Sequence, residues 1–262
     1  MMRALFTAGA GMQAQQLNVD VISNNLANVN TTGYKKARID FQDLLYQTLR
    51  ASGSQVAQGV ESPTGLHIGL GVRPAATQRI FTQGDFQRTD NPLDLVIEGE
   101  GFFQITQPDG SVAYTRDGTF RRDGTGRVVT ADGFTLSPEI TIPQDAVAVS
   151  VGQDGTVSVT IQGNPTPQVV GSITLARFIN PAGLFSRGKN LFLETSASGP
   201  PIVSAPGIGG AGTINQGFLE NANVQVVDEI VKLIVAQRAF EFNSRAVTTS
   251  DDMLGTAAGL KR

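Results

Sequence analysis

The C-terminal part of the chain repeats apolar residues with the rhythm of one helical face. At alternating steps of four and three it reads Val226, Ile230, Leu233, Gln237, Phe240, Ser244, Val247, Asp251, Leu254 and Ala258. Such a stripe predicts an α-helix; no Pro interrupts it, and Gly255 near its end is the one glycine within it. Asn223 is placed to cap its start, with Asp228 and Glu229 near the positive end of the helix dipole. Gly259, Lys261 and Arg262 suit its other end. A helix over 224–258 would be about 50 Å long at ~1.5 Å per residue, longer than the ~30 Å width of a small domain. Its stripe therefore predicts a partner outside one compact core.

The N-terminus carries a matching stripe: Leu5, Ala8, Met12, Gln15, Val19, Ile22, Leu26 and Val29. Two seams of similar length predict helices that pair with each other, with neighbouring subunits, or with both. Gly9 and Gly11 each cost about 1 kcal/mol against Ala in a helix, so the first helix is marginal alone. Gly33 offers a left-handed turn after it.

Between the seams the pattern changes. Phe41, Leu44, Leu45, Thr48 and Leu49 have the spacing of a short amphipathic helix, and 50–65 is polar and small, reading as an extended connection. From Leu66 the reading is all-β. Leu93, Leu95 and Ile97 alternate with other residues, and Phe103 and Ile105 flank Gln104. Asp-Gly pairs begin at Asp109, Asp117, Asp123, Asp132 and Asp154, and each predicts a tight hairpin between short antiparallel strands. A Gly/Pro-rich connector spans 199–222. The predicted class is α+β: a helical layer from 1–32 and 223–262, a connecting segment 33–65 and a central β-domain 66–198.

Composition narrows the function. With 20 basic and 23 acidic residues the net charge is −3, which gives nucleic acid no footing. Charged residues make up only 16%, so little repulsion keeps copies apart. Cysteine is absent, which excludes disulfides and thiolate chemistry. No apolar run reaches the ~18 residues of a membrane span, so no membrane insertion is expected. A faint signal-peptide resemblance at 4–12 is outweighed by the helical rhythm running through it, which predicts export without cleavage.

Candidate chemistry is thin. His67 is the only histidine, set in a glycine-rich strand with no evident partner. The Asp-Gly pairs lack the full calcium-loop pattern. Arg116, Arg121, Arg122 and Arg127 are interspersed with Asp117 and Asp123, the pattern of a solvated hairpin face. Asp94, Glu98 and Glu100 are the nearest approach to the paired carboxylates of a glycosidase, and no spacing pairs them. No catalytic, cofactor or metal residue is expected, and no enzyme.

Four stretches do carry a resemblance. They are Asn24-Asn25-Leu26-Ala27-Asn28-Val29-Asn30-Thr31-Thr32-Gly33-Tyr34-Lys35; Leu93-Asp94-Leu95-Val96-Ile97-Glu98-Gly99-Glu100-Gly101-Phe102-Phe103; Tyr114-Thr115-Arg116-Asp117-Gly118-Thr119-Phe120; and Leu219-Glu220-Asn221-Ala222-Asn223-Val224 with Gln237-Arg238-Ala239-Phe240 and Asp252-Met253-Leu254. In this order they resemble the bacterial flagellar rod and hook proteins. Met1-Met2-Arg3-Ala4-Leu5 and Phe41-Gln42-Asp43-Leu44-Leu45-Tyr46-Gln47-Thr48 are most similar to the distal-rod members. Phe240 stands where the family more often has Tyr, and Ala222 where it has Ser.

The resemblance implies a structural subunit stacking helically into the hollow distal rod, which carries torque through the periplasm to the hook. It implies paired terminal helices lining the channel and export through the flagellar type III apparatus. The implied partners are copies of itself, the proximal rod, the hook or hook-junction protein and the surrounding rings. The alternatives are a proximal rod or hook protein, or a carbohydrate-binding, adhesin-like β-protein.

Overall fold

The structure, a computed structural model, describes residues 2–53, 55–57, 60–61 and 63–259. Two long helices bound it, α1 at Met2–Ala27 and α2 at Val226–Gly259, and short strands fill the chain between them. The architecture is α+β. The chain divides into two compact units. A helical unit takes residues up to Leu26, Ala37–Gln78 and the chain from Gln225; a β unit takes Ala27–Lys36 and Arg79–Val224.

The β unit is built on a nine-stranded sheet among the described residues. Its central strand Phe102–Thr106 pairs antiparallel with Val112–Thr115, Thr135–Ser137 and Leu175–Arg177. A meander of Ala146–Val151, Thr156–Ile161 and Asn164–Ser172 supplies the second layer. Phe103, Ile105, Leu136, Val159, Ile173 and Leu175 share one sealed core. The other side of the central strand is also covered. Phe102 packs edge-on with Phe81, Phe178 and Phe192, ring centroids 5.4–6.0 Å apart. Gln104, expected on a polar face, is therefore buried, and its amide donates to the Thr174 hydroxyl at 3.0 Å.

Several expectations need correcting. The amphipathic helix over Phe41–Leu49 does not form: these residues lie in strands Ala37–Asp43 and Tyr46–Arg50. Leu44 and Leu45 sit at the break between the strands, so a helical spacing arose from two extended runs. Pairing with Val72–Arg79 and Leu66–Gly69 satisfies the backbone instead. The polar connector contains the strand pair Gln55–Ala57 and Val60–Glu61; its Ser54, Gln58, Gly59 and Ser62 lie outside the described residues.

From Leu66 the chain forms strands, and those up to Gln78 group with the helical unit. The Gly/Pro-rich stretch 199–222 is not a free connector. It holds strands Ile202–Ser204, Thr213–Gln216 and Phe218–Glu220, paired with Leu175–Arg177, Leu95–Glu98 and Phe86–Arg88. Among the Asp-Gly turns, Gly110, Gly133 and Gly155 take positive φ, whereas Gly118 and Gly124 do not.

Both helix boundaries also differ. α1 ends at Ala27, not near residue 32, and a turn follows in which the Thr31 N–H donates to the Asn28 carbonyl at 3.0 Å. α2 starts at Val226, where the Gln225 carbonyl accepts the Glu229 N–H at 3.0 Å. Asn223 is not its cap. The Asn223 side chain instead accepts from the Lys36 N–H at 2.8 Å and donates to the Ile80 carbonyl at 2.8 Å. Lys261 and Arg262 lie outside the described residues.

Candidate functional site

Two constructions stand out, one in each unit. In the helical unit α1 and α2 run antiparallel: Gly11 lies against Asn243, and Asn25 against Glu229. A Cβ on Gly11 would fall 2.8 Å from the Asn243 amide, so this glycine is the condition for close approach. Asn25 is buried; its carbonyl oxygen accepts the Ala37 N–H at 2.8 Å, and its amide donates to the Ala37 carbonyl at 2.8 Å. The same amide reaches Glu229 Oε2 at 3.4 Å, while Lys232 Nζ holds Oε1 at 2.6 Å. Glu229 is buried because donors meet both its oxygens.

The predicted stripes fall as follows. On α1, Ile22 is buried, and Leu5, Met12, Val19 and Leu26 are half-buried. Val29 lies beyond the helix and packs with Tyr34, Ala222 and Val224 in the β unit. On α2, Leu233, Val247 and Leu254 are half-buried, but Val226, Ile230 and Phe240 are exposed. The inward line of α2 is set by Glu229, Ala236, Asn243 and Ser250. At about 3.6 residues per turn, Val227, Ile230, Val231, Ile234, Val235 and Phe242 lie on the opposite side. All six face solvent, Val227 at 73% and Phe242 at 65%. A groove of about 440 Å³ is lined by Gln16 and Val19 of α1 and by Gln237, Phe240 and Glu241 of α2.

In the β unit, the segment after α1 is pinned residue by residue. The Asn190 amide donates to the Thr32 carbonyl at 3.0 Å, and the Gly33 N–H to the Glu220 carbonyl at 2.7 Å. Gly33 has φ +68°, and a Cβ there would meet the Asp117 nitrogen at 2.7 Å. Asn28 accepts from the Thr31 hydroxyl at 3.2 Å. The Tyr34 ring is buried, with the Arg79 guanidinium 5.5 Å from its centre.

Lys35 ends this segment in a buried ionic knot. It is fully sealed, and its ammonium donates to Glu220 at 2.5 Å and to the Thr82 carbonyl at 2.7 Å. Glu220 Oε1 also accepts the Gly84 N–H at 2.9 Å. Arg116 Nη1 stands 3.8 Å from Glu220 Oε2 and donates to the Ile97 carbonyl; Nη2 donates to the Gly99 carbonyl at 2.6 Å. Burial lowers the Lys35 pKa, and the charge of Glu220 opposes that shift. Burial likewise lowers that of Arg116, again opposed by Glu220. The expectation that Arg116 lies on a solvated hairpin face is therefore wrong, since the turn folds it onto the strand Leu95–Glu98. Sequence reading missed the roles of Glu220 and Arg116. For Glu220 the available signal was a charge set directly after apolar residues, as in Phe218-Leu219-Glu220; Arg116 follows the polar Thr115 and carries no such signal.

The residues weighed for catalysis are scattered. His67 is exposed, its ring nitrogen 2.9 Å from the Thr48 hydroxyl. Asp94 accepts from Asn91 at 2.7 Å, Glu98 from Asn215 at 2.8 Å and Glu100 from Arg177 at 3.2 Å. Each carboxylate has its own partner. No group of metal-binding side chains occurs among the described residues, and no helix there is long and apolar enough to cross a membrane.

Comparison with known proteins covers both constructions. The family described as "Flagella basal body rod protein" matches residues 5–35, which contain α1 and the pinned segment. "Flagellar hook protein FlgE/F/G D1 domain" matches 96–159, and "Flagellar basal body rod FlgEFG protein C-terminal" matches 215–260. The flagellar basal-body rod protein FlgG of Borreliella burgdorferi is 50% identical over 264 residues, covering 100% of both chains. That of Caulobacter vibrioides is 49% identical, covering 99% of this chain and 100% of its own. That of Buchnera aphidicola from Schizaphis graminum is 48% identical, covering 97% and 98%.

Proposed function

The chain belongs to the family of flagellar basal-body rod proteins, and from that premise we propose that it polymerises into the distal rod through the outer face of its helix pair. It is a structural subunit. The observation that carries the proposal is the inverted packing of α1 and α2. Ala8, Ala14, Ile22 and Asn25 of α1 and Glu229, Ala236 and Ser250 of α2 are buried, while Val227, Val231, Ile234, Val235 and Phe242 of α2 face solvent among the described residues. An exposed apolar face of this kind marks a surface for another chain. Copies stacked around a hollow axis would cover it, with the groove at Val19 and Phe240 receiving a neighbouring side chain.

In this reading Leu5, Met12, Val19, Ile22, Leu26, Leu233, Val247 and Leu254 hold the pair together within a subunit. Val226, Ile230 and Phe240 join the face between subunits. The pinned segment Asn28, Thr32, Gly33, Tyr34 and Lys35 fixes how the chain enters the β unit after Asn25, Leu26 and Ala27. The rod would transmit torque to the hook and form part of the export channel. Its other partners would be the proximal rod, the hook or hook-junction protein, the surrounding rings and the export apparatus. Export would proceed without a cleaved signal peptide. No catalytic step is assigned.

The test is assembly of outer-face variants. Val231→Asp and Ile234→Asp should leave the circular dichroism of the subunit unchanged. They should abolish polymers seen by electron microscopy, and also motility at matched expression. Normal rods from both variants would remove the outer face from the assembly mechanism.

A further inference from the structure

The five Asp-Gly turns differ in one chemical respect. At Asp109, Asp117, Asp123 and Asp154 the residue after the glycine is Ser or Thr, and it staples the carboxylate. Its backbone N–H donates to the Asp oxygen at 2.9 Å from Ser111, 3.0 Å from Thr119, 2.8 Å from Thr125 and 3.0 Å from Thr156. Its hydroxyl donates to the same carboxylate at 2.5, 2.8, 2.7 and 2.8 Å. At Asp132 the corresponding residue is Phe134, which has no hydroxyl. The Phe134 N–H turns to the Thr130 hydroxyl at 3.2 Å instead. Among the described residues the Asp132 carboxylate has one charged contact, Lys189 Nζ at 3.2 Å, with both side chains largely in solvent. Such an exposed pair constrains little.

We propose that Asp132–Gly133 is a site of spontaneous aspartyl isomerisation, and that the four stapled turns are protected from it. The Gly133 amide nitrogen attacks Asp132 Cγ. The N–Cγ bond forms, the Cγ–OH bond breaks, and the amide proton leaves with that hydroxyl as water. Water then adds back to the cyclic imide. Opening at the main-chain carbonyl leaves an isoaspartyl residue whose chain runs through the side-chain carbon, with no net change of composition. The attack requires the carboxyl to be protonated and to swing toward its own glycine nitrogen. A staple aims the carboxylate at the residue beyond the glycine in all four turns, and at Asp109, Asp123 and Asp154 its donors also favour the ionised form. Gly133 has φ +83° and nothing within 4 Å of where a Cβ would stand, so no neighbour fills the space beside the attacked bond. The product presents the free α-carboxylate that an L-isoaspartyl methyltransferase recognises.

The experiment ages the purified full chain in mildly acidic buffer. Imide and isoaspartate are mapped by peptide mass spectrometry and by labelling with L-isoaspartyl methyltransferase. Isoaspartate should accumulate at Asp132 about tenfold faster than at any stapled aspartate, the rate factor expected for giving up a charge-assisted contact. Ser111→Ala, in an exposed loop, should raise the rate at Asp109 toward that of Asp132. Phe134→Thr should lower the rate at Asp132. Equal rates at all five sites, or a Ser111→Ala variant with Asp109 unchanged, would overturn the proposal.

Discussion

The β unit has a large apolar core of its own: Phe103, Ile105, Phe120 and Leu136 are sealed between the nine-stranded sheet and its neighbours, while Val147, Ile179 and Phe185 stay exposed at its surface. In the helical unit Val227, Val231, Val235 and Phe242 face solvent, while the side of α2 turned to α1 carries Glu229, Ala236, Asn243 and Ser250. One unit has a sealed core of its own. The other holds its two helices close through small residues and paired polar groups, and leaves its apolar face for something outside. A subunit with that division would bring a finished β body and an unfinished helical seam to an assembly.

Large-to-small substitutions separate the two cases most sharply. Phe103→Ala should destabilise the β unit by about 3–5 kcal/mol, by lost burial and the cavity left behind. Ile234→Ala on the outer face of α2 should change the subunit by no more than about 0.5 kcal/mol. Chemical denaturation of the unassembled protein checks both. Similar losses would mean that the outer face is already covered within the chain, and the contrast between the units would be gone.

The ionic knot tests whether the β unit is closed by charge as well as by apolar packing. Lys35→Ala leaves Glu220 buried without its closest cation and should cost about 3–5 kcal/mol. Replacing both partners, Lys35→Met with Glu220→Leu, should recover much of that loss, because the uncompensated charge disappears. A double variant no more stable than the single would show that backbone bonds to Thr82 and Gly84, not charge pairing, dominate the site.

Sequence made the two helices and the β class legible for a physical reason. Periods of about 3.6 and two persist through long segments and survive local noise. The facing side of α2 was less legible. The stripe through Val226, Ile230 and Phe240 left open whether it faces the other helix or a neighbouring subunit; these three are exposed, while Ala14 and Ala236 are buried and Gly11 lies against Asn243. The strands at 37–50 were misread because Leu44 and Leu45 imitate a helical step, and only their partners near Leu66 and Val72 decide the matter. The Lys35–Glu220 pair joins residues 185 apart, and no local pattern can announce such a contact.

Gly33→Ala probes the segment that the motif marks out. Its φ of +68° and the Asp117 backbone 2.7 Å from a Cβ leave no room for a side chain. A loss of about 1–3 kcal/mol in the β unit is expected, with α1 and α2 retaining their dichroism. A neutral substitution would mean that the segment can leave its place on the β unit, and that Lys35 need not stay buried.

The smallest effect is expected with acid, and it should be confined to the β unit's loops. Hydrogen bonds from Ser111 hold the Asp109 carboxyl below its ordinary range, and those from Thr125 and Arg127 hold Asp123 well below it. The Thr156 N–H and hydroxyl do the same for Asp154. Because each folded pKa lies below the unfolded value of about 3.9, the unfolded chain binds protons first as pH falls. The stabilisation is complete above that pH and disappears as the folded carboxylates are protonated. All three loops are solvent-exposed, so screening keeps the contribution small. Melting of the β unit should therefore hold steady from neutrality to about pH 5 and decline below about pH 4. The combined variant Ser111→Ala, Thr125→Ala, Thr156→Ala should flatten that decline, since it removes donors that favour the ionised form. An acid transition of unchanged steepness in the triple variant would place the sensitivity outside these three loops.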